Sequence, residues 1–276
     1  LASDFAAVNK QPKNIMEPII IKIAGSIITE QQFGKPMLNW LHLRTIAKEL
    51  KTYEAPYILV HGAGAYGHPL AKKTGIDKSV ISTAQLLAFA KTQKMQNELD
   101  CLICSALIKK GIPAFPAQAS SHAVLERGRL VKMETEAIAG LIRLGLVPVT
   151  FGVPAFDNAW GSAILSSDQI APYLAKKLGI KKIIEVSDVN GIYTADPKTN
   201  KKAEHIKNIG MDNFEKIDQY LSNNPATTDV TGGIKQKYIE LIAAAKLGAI
   251  VQIIHFKNLA KALEGKNIGT IIDLNQ

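Results

Sequence analysis

Five short runs rich in β-branched apolar residues, at 19–23, 57–60, 147–151, 182–186 and 250–254, are separated by long segments with helical periodicity. Runs apolar at every position belong to strands buried on both faces, and strands separated by helices join in parallel. The spacing predicts helices over 41–50, 83–110, 137–145, 169–178 and 235–248. Gly111, Gly145, Gly179 and Gly248 follow the helical pattern where a C-terminal cap needs a residue tolerant of positive φ. Three of these helix ends run directly into a strand, the tight connection of a doubly wound sheet. The expected class is therefore α/β, a largely parallel central sheet sandwiched by helices. No long repeat and no Pro/Gly/Ser-rich linker divides the chain, so one domain with two lobes is expected, with a soft boundary near 155–162.

At 276 residues and 47% hydrophobic content, the chain can fill a proper core. Its longest apolar stretches are strand-sized, far short of the run of about 18 residues that a membrane helix needs, and no membrane partner is expected. The net charge of +9 is dispersed, much of it in pairs such as Lys72-Lys73 and Lys176-Lys177 at predicted helix ends, where it offsets the helix dipole. With aromatics at 6% and no basic stripe, a nucleic-acid partner is not expected, and lysines gathered around an anionic small molecule are. Cys101 and Cys104 have C-x-x-C spacing inside a helical segment, without the second pair of a zinc ribbon or the strand-to-helix context of a redox motif. They read as small core residues of a protein of the reducing cytoplasm. Residues 1–16 lack a secretory apolar core and read as a disordered or non-native leader.

Two turns carry the chemistry. The first strand delivers Lys22 and then Ala24-Gly25-Ser26. A lysine inside so apolar a strand is costly to bury unpaired and is expected to face an anion, with the small-residue turn offering N–H groups to phosphate. The second strand runs into Val60-His61-Gly62-Ala63-Gly64-Ala65-Tyr66-Gly67-His68, whose glycines permit close approach of the main chain to a ligand. Taken alone this turn is a weak signal. It fits G-x-G-x-x-G, but the acidic residue of a dinucleotide site about 20 positions on is missing, as is a Walker lysine. His42, His61, His122, His205 and His255 lack metal-ligand spacing.

Together with residues 165–175 (LSSDQIAPYLA), 187–197 (SDVNGIYTADP) and 229–237 (DVTGGIKQK), these turns resemble the isopentenyl phosphate kinases, a branch of the amino acid kinases. The blocks occur in family order and cover nearly all of 19–273. The resemblance implies the amino acid kinase fold over 17–276, with an acceptor lobe over about 17–155 and a nucleotide lobe over about 156–276. It implies that Lys22 reaches the transferring phosphoryl group, that Gly25 and Ser26 line its path on the ATP side, and that Asp168 orients the catalytic lysines Lys22 and Lys237. His68 would hold the acceptor's phosphate, alongside Gly62, Ala63, Gly64, Gly67 and Gly152. Ser187, Asp188, Gly191, Tyr193, Asp196 and Pro197 would face ATP, and Thr231, Gly232, Gly233 and Lys237 would close over its phosphates. Mg²⁺ would arrive with the nucleotide, and a homodimer is implied.

Two departures bear on the acceptor. The family's usual Gly-Asp is Gly152-Val153 here, and its Ser-Gly-Asp is Ser166-Ser167-Asp168, as in the related fosfomycin kinases. A phosphonate kinase or another small phosphomonoester kinase is therefore the alternative, and a non-catalytic nucleotide-binding module a remote one. A five-carbon tail would need an apolar lining, for which Leu86, Leu87, Phe89 and Ala90 are candidates if they are not core.

Overall fold

In a computed structural model, which describes residues 16–77, 80–223 and 233–275 (side chains at 221–223 and 233–236 excepted), all five predicted strands lie in one eight-stranded sheet. They are β1 (Ile19–Ile23), β4 (Tyr57–His61), β8 (Val147–Phe151), β11 (Lys182–Ser187) and β15 (Ile250–His255). With β5 (Ala114–Pro116), β14 (Asn208–Ile209) and β16 (Thr270–Ile272) the order is β14-β16-β15-β11-β1-β4-β8-β5. Every pairing is parallel except β15 with β16.

Both faces of the sheet are covered, which is why its strands are apolar at successive positions. On one face Ile21, Leu59, Ile184 and Ile254 meet α2 (Trp40–Leu50), α4 (Thr83–Ile108) and α9 (Leu259–Leu263) through Leu43, Ile103 and Leu259. On the other, Ile20, Val60, Ile183 and Val251 meet α6 (Ser167–Leu178) and α8 (Gly233–Lys246) through Ile170, Leu174 and Leu241. The short helices α1 (Gly25–Ile28), α3 (His68–Thr74) and α5 (Glu136–Arg143), and α7 (Phe214–Asn223), complete the helical set among the described residues. Their starts follow side-chain chemistry. Asn39, Ser82 and Ser166 each accept a hydrogen bond from a backbone N–H of the first turn of α2, α4 and α6. Gly111, Gly145, Gly179 and Gly248 all have positive φ.

A second sheet, order β10-β9-β6-β7, was not anticipated. It comprises the hairpin β6 (Ala123–Glu126) and β7 (Arg129–Met133) and the hairpin β9 (Val153–Asp157) and β10 (Gly161–Leu165), and residues 155–162 lie inside the latter. Asp157, fully buried, ties the two together by accepting from the N–H groups of Arg127, Gly128, Ala159 and Trp160. The remaining strands form two further pairs, β2 (Thr29–Gln32) with β3 (Lys35–Leu38) and β12 (Ile192–Tyr193) with β13 (His205–Ile206).

The cysteine expectation holds for one residue only. Cys104 is buried, whereas Cys101 is exposed, because two residues three apart diverge by most of a right angle around a helix of which a single stripe meets the core. Leu86 and Leu87 are also exposed, so they are not core, while Phe89 is half-buried. No described helix is long and apolar enough to cross a membrane.

Candidate active site

Lys22 sits near the C-terminal end of β1, on the sheet face covered by α6 and α8, and is 2% exposed. Its register partners are Val60 on β4 and Glu185 on β11. These neighbours flank β1 on opposite sides, so the site lies where chain connections diverge, the customary ligand position of an open α/β sheet. Lys22 Nζ donates to Asp168 Oδ1 at 2.6 Å and to Glu185 Oε1 at 2.8 Å. Lys237, in the second turn of α8, places its Nζ 3.0 Å from the same Glu185 oxygen. Burial alone would lower the pKa of Lys22, but the charges of Asp168 and Glu185 outweigh it and raise the pKa above the ordinary lysine value. For Asp168 burial acts upward, yet Lys22 and Lys237 hold the carboxyl below its usual range.

Each member is placed by an ordered element. Asp168 occupies the first turn of α6, and Ser166 Oγ caps that helix at 3.1 Å while donating to Asp168 Oδ2 at 3.3 Å. Lys237 is carried by a helix that Arg129 of β7 grips through both oxygens of the buried Glu240. Tyr238 adds a hydrogen bond from its hydroxyl to the Phe214 carbonyl at 3.3 Å.

The two glycine turns meet backbone to backbone. A Cβ on Gly25 would lie 2.3 Å from Gly64 N, and one on Gly62 would lie 2.7 Å from Gly25 N. Thr29 fastens them, its Oγ1 donating to the Gly25 carbonyl at 2.7 Å and accepting from Ala65 N at 2.8 Å. The amides of Gly62, Tyr66 and Gly67 also donate within the protein. The glycines thus serve first the approach of one turn to the other, and Thr29 is a site residue that the sequence reading missed. Gly67 packs against Gln96 of α4, and Gly152 against the Ser167 amide at the start of α6. His68 is exposed and begins α3, beside Gly67. Ser26 is exposed, and Ala63 half-buried.

On the other side of β1, Ser187 donates to Asp188 at 3.3 Å, and Lys198 pairs with Asp188. Burial opposes ionisation of Asp188, but its hydrogen bond from Lys198 keeps the pKa below the ordinary value. Gly191 has φ +120° and no room for a side chain, since a Cβ would lie 2.2 Å from Thr270 Oγ1. Tyr193 lies against the His205 ring with centroids 4.9 Å apart. Asp196 and Pro197 form a turn in which Asp196 Oδ1 accepts from Lys198 N at 2.9 Å. Thr231 and Gly232 lie outside the described residues, and Gly233 opens α8.

Glu185 is the second residue that sequence reasoning missed. The signal was present: the carboxylate inside KIIEVS and the lysine inside IIIKI are opposite charges in the interior of otherwise apolar runs, each costly to bury unless paired. Val153, where the resembled family carries Asp, is 1% exposed in the main core. Among the described residues no group of three His, Cys, Asp or Glu side chains could hold a metal ion.

A buried lysine oriented by two carboxylates, a second lysine on one of those carboxylates, and two glycine turns at the ends of parallel strands are the kind of arrangement that phosphoryl transfer calls for. The profile of the Amino acid kinase family matches residues 17–255, and the chain belongs to that family of kinases. Among its relatives, the isopentenyl phosphate kinase of Methanocaldococcus jannaschii is 35% identical over 93% of this chain and 99% of its own length. The enzyme of that name from Methanothermobacter thermautotrophicus is 32% identical over 91% and 96%. A crystal structure of isopentenyl phosphate kinase superposes with a TM-score of 0.80 at 28% identity, over 92% of this chain and 99% of that one. The carbamate kinase of Giardia lamblia, at 14% identity and a TM-score of 0.70, shares the fold.

Proposed function

We propose that this protein transfers a phosphoryl group from ATP to the phosphate of isopentenyl phosphate, yielding isopentenyl diphosphate. The observation that carries the chemistry is Lys22, buried and held between Asp168 and Glu185 with Lys237 on the same carboxylate oxygen. Bound ATP would supply the transferable phosphoryl group, and Mg²⁺ held by its phosphates would offset part of the charge. Lys22 and Lys237 stabilise the negative charge that gathers on the transferring group, and Asp168 keeps Lys22 aimed at it. The acceptor oxygen already belongs to a phosphate and needs no strong base, so His68 anchors the acceptor and takes no proton. Ser187, Asp188, Gly191 and Tyr193 form the nucleotide side, Thr231 and Gly232 close over the phosphates, and lobes over 17–155 and 156–276 divide the two ligands.

The acceptor assignment rests on the relatives' names and on an apolar cluster beside His68. Ala71, one turn further along α3, packs with Ile76 and Ala88 against Phe89, Val80 and Ile164. A hydrocarbon tail on the acceptor would lie against the cluster's half-buried members, Val80, Phe89 and Ile164, and a small polar phosphonate would gain little from them. The test is ³¹P NMR of purified protein with ATP, Mg²⁺ and isopentenyl phosphate. Conversion of the monophosphate resonance into a coupled pair from a diphosphate supports the reading, and ADP formation without that pair overturns it.

A further inference from the structure

The oxygen shared by the two lysines, Glu185 Oε1, lies 2.8 Å from Lys22 Nζ and 3.0 Å from Lys237 Nζ. Ammonium groups repel, and two of them gather at a single buried atom only where an anion sits between them. Glu185 is 1% exposed, so water does not share that task. The lysines come from different elements, a central strand and a covering helix, and Glu185 stands on β11 directly beside Lys22 in register. Asp168 bonds to Lys22 and reaches Lys237 only through its charge.

We infer that Glu185 is a positioning residue for phosphoryl transfer, whose carboxylate sets the separation of the two lysines and offsets their charge before nucleotide binds. The inference rests on the kinase reading above but not on the identity of the acceptor. Two lysines and two carboxylates make the nucleotide-free site electrically balanced. A bare lysine pair would attract any phosphate, ADP included, and binding that is equal in ground and transition states does nothing for turnover. With Glu185 in place, the lysines gain most when charge concentrates on the transferring group, which is where binding accelerates the reaction.

Glu185→Gln keeps the shape and removes the charge. Its expected signature is a kcat lower by about ten- to a hundredfold with no rise in KM for ATP, the scale of one misplaced electrostatic contact. Calorimetry should show ADP bound several-fold more tightly. In the nucleotide-free protein, ¹³Cε NMR should show Lys22 titrating at lower pH, since among Asp168 on α6, Glu185 on β11 and Lys237 on α8 one facing carboxylate has gone. Because Glu185 acts through the two lysines, Glu185→Gln combined with Lys237→Met should lose less kcat than the product of the two single losses. A kcat within twofold of wild type, ADP binding weakened in step with KM, or losses that multiply in the double variant would each overturn the proposal. If Glu185→Gln does not fold, Glu185→Asp decides: it keeps the charge one methylene short, and kcat must fall several-fold at unchanged KM. Wild-type protein inactive on isopentenyl phosphate but active on another acceptor removes the acceptor assignment and leaves this test standing.

Discussion

Lys22 stands where an ammonium group is costly to keep, 2% exposed in the middle of an apolar sheet, and two carboxylates make it tolerable. Lys22→Ala is expected to lower kcat by about a hundredfold, roughly 3 kcal/mol of transition-state stabilisation, with a much smaller change in ATP affinity. Steady-state kinetics beside nucleotide calorimetry checks this, and near-normal turnover removes Lys22 from the mechanism. Asp168→Asn should impair kcat without unfolding the protein, because α6 keeps its Ser166 cap. A large drop in melting temperature with intact turnover would make Asp168 a structural carboxylate. His68→Ala should lower the specificity constant for the acceptor by about ten- to a hundredfold, the worth of a hydrogen bond to a charged group, with ATP binding unchanged. His68→Gln should recover part of that loss, and equal effects on both ligands would place His68 in turn stability instead.

At the level of elements, the two glycine turns act as one unit because each occupies the space a Cβ would need on the other. Gly25→Ala must therefore displace the 62–64 backbone, and it is expected to lower both melting temperature and kcat. Asp157 is the corresponding tie of the smaller sheet, and Asp157→Ala, which removes the acceptor of four backbone N–H groups, should cost about 3 kcal/mol in denaturant unfolding. Turnover by the folded fraction should persist. How far such features were legible follows from their length and burial. The five central strands announced themselves because burial on both faces makes them apolar at nearly every interior position, and helices with capping glycines separate most of them. The hairpins β6–β7 and β9–β10 did not, since the strands of the first carry exposed charges such as Glu126 and Lys132, and β9 follows β8 after one residue with no helical segment to set it apart. Two-residue strands such as β12 and β13 leave no periodicity to read. Within the site, Lys22 was conspicuous as the first charge of an apolar strand followed by a small-residue turn. Glu185 was not, because it lies 163 residues away and only the parallel register of β1 and β11 brings the two together. Thr29 follows the first turn as an ordinary threonine, and its role emerges only when the second turn is placed against it.

For the whole molecule, the ion pair of Lys22 with Asp168 makes stability depend on pH at both extremes. The folded pKa of Lys22 lies above its unfolded value, so its contribution is complete below about pH 10.4 and is lost as pH rises through the folded pKa. Asp168 and Asp157 lie below theirs, so their contributions are complete only above about pH 3.9 and are lost as pH falls through the folded values. His122, His205 and His255, lowered chiefly by burial, begin to lose their smaller contributions as pH drops below about 6.5. Melting temperature should accordingly form a plateau from about pH 7 to 10, with a shallow decline below it and steep losses at each end. An unchanged melting temperature at pH 3 would contradict the lowered pKa values of Asp168 and Asp157. The central claim, a kinase whose acceptor is a phosphate with a hydrocarbon tail, is tested most directly by ADP release measured with isopentenyl phosphate, dimethylallyl phosphate, phosphomevalonate and fosfomycin in parallel. The account predicts the highest kcat/KM for isopentenyl phosphate, with fosfomycin at least about tenfold lower for want of apolar contact. A specificity constant for fosfomycin equal to or above that for isopentenyl phosphate would contradict it.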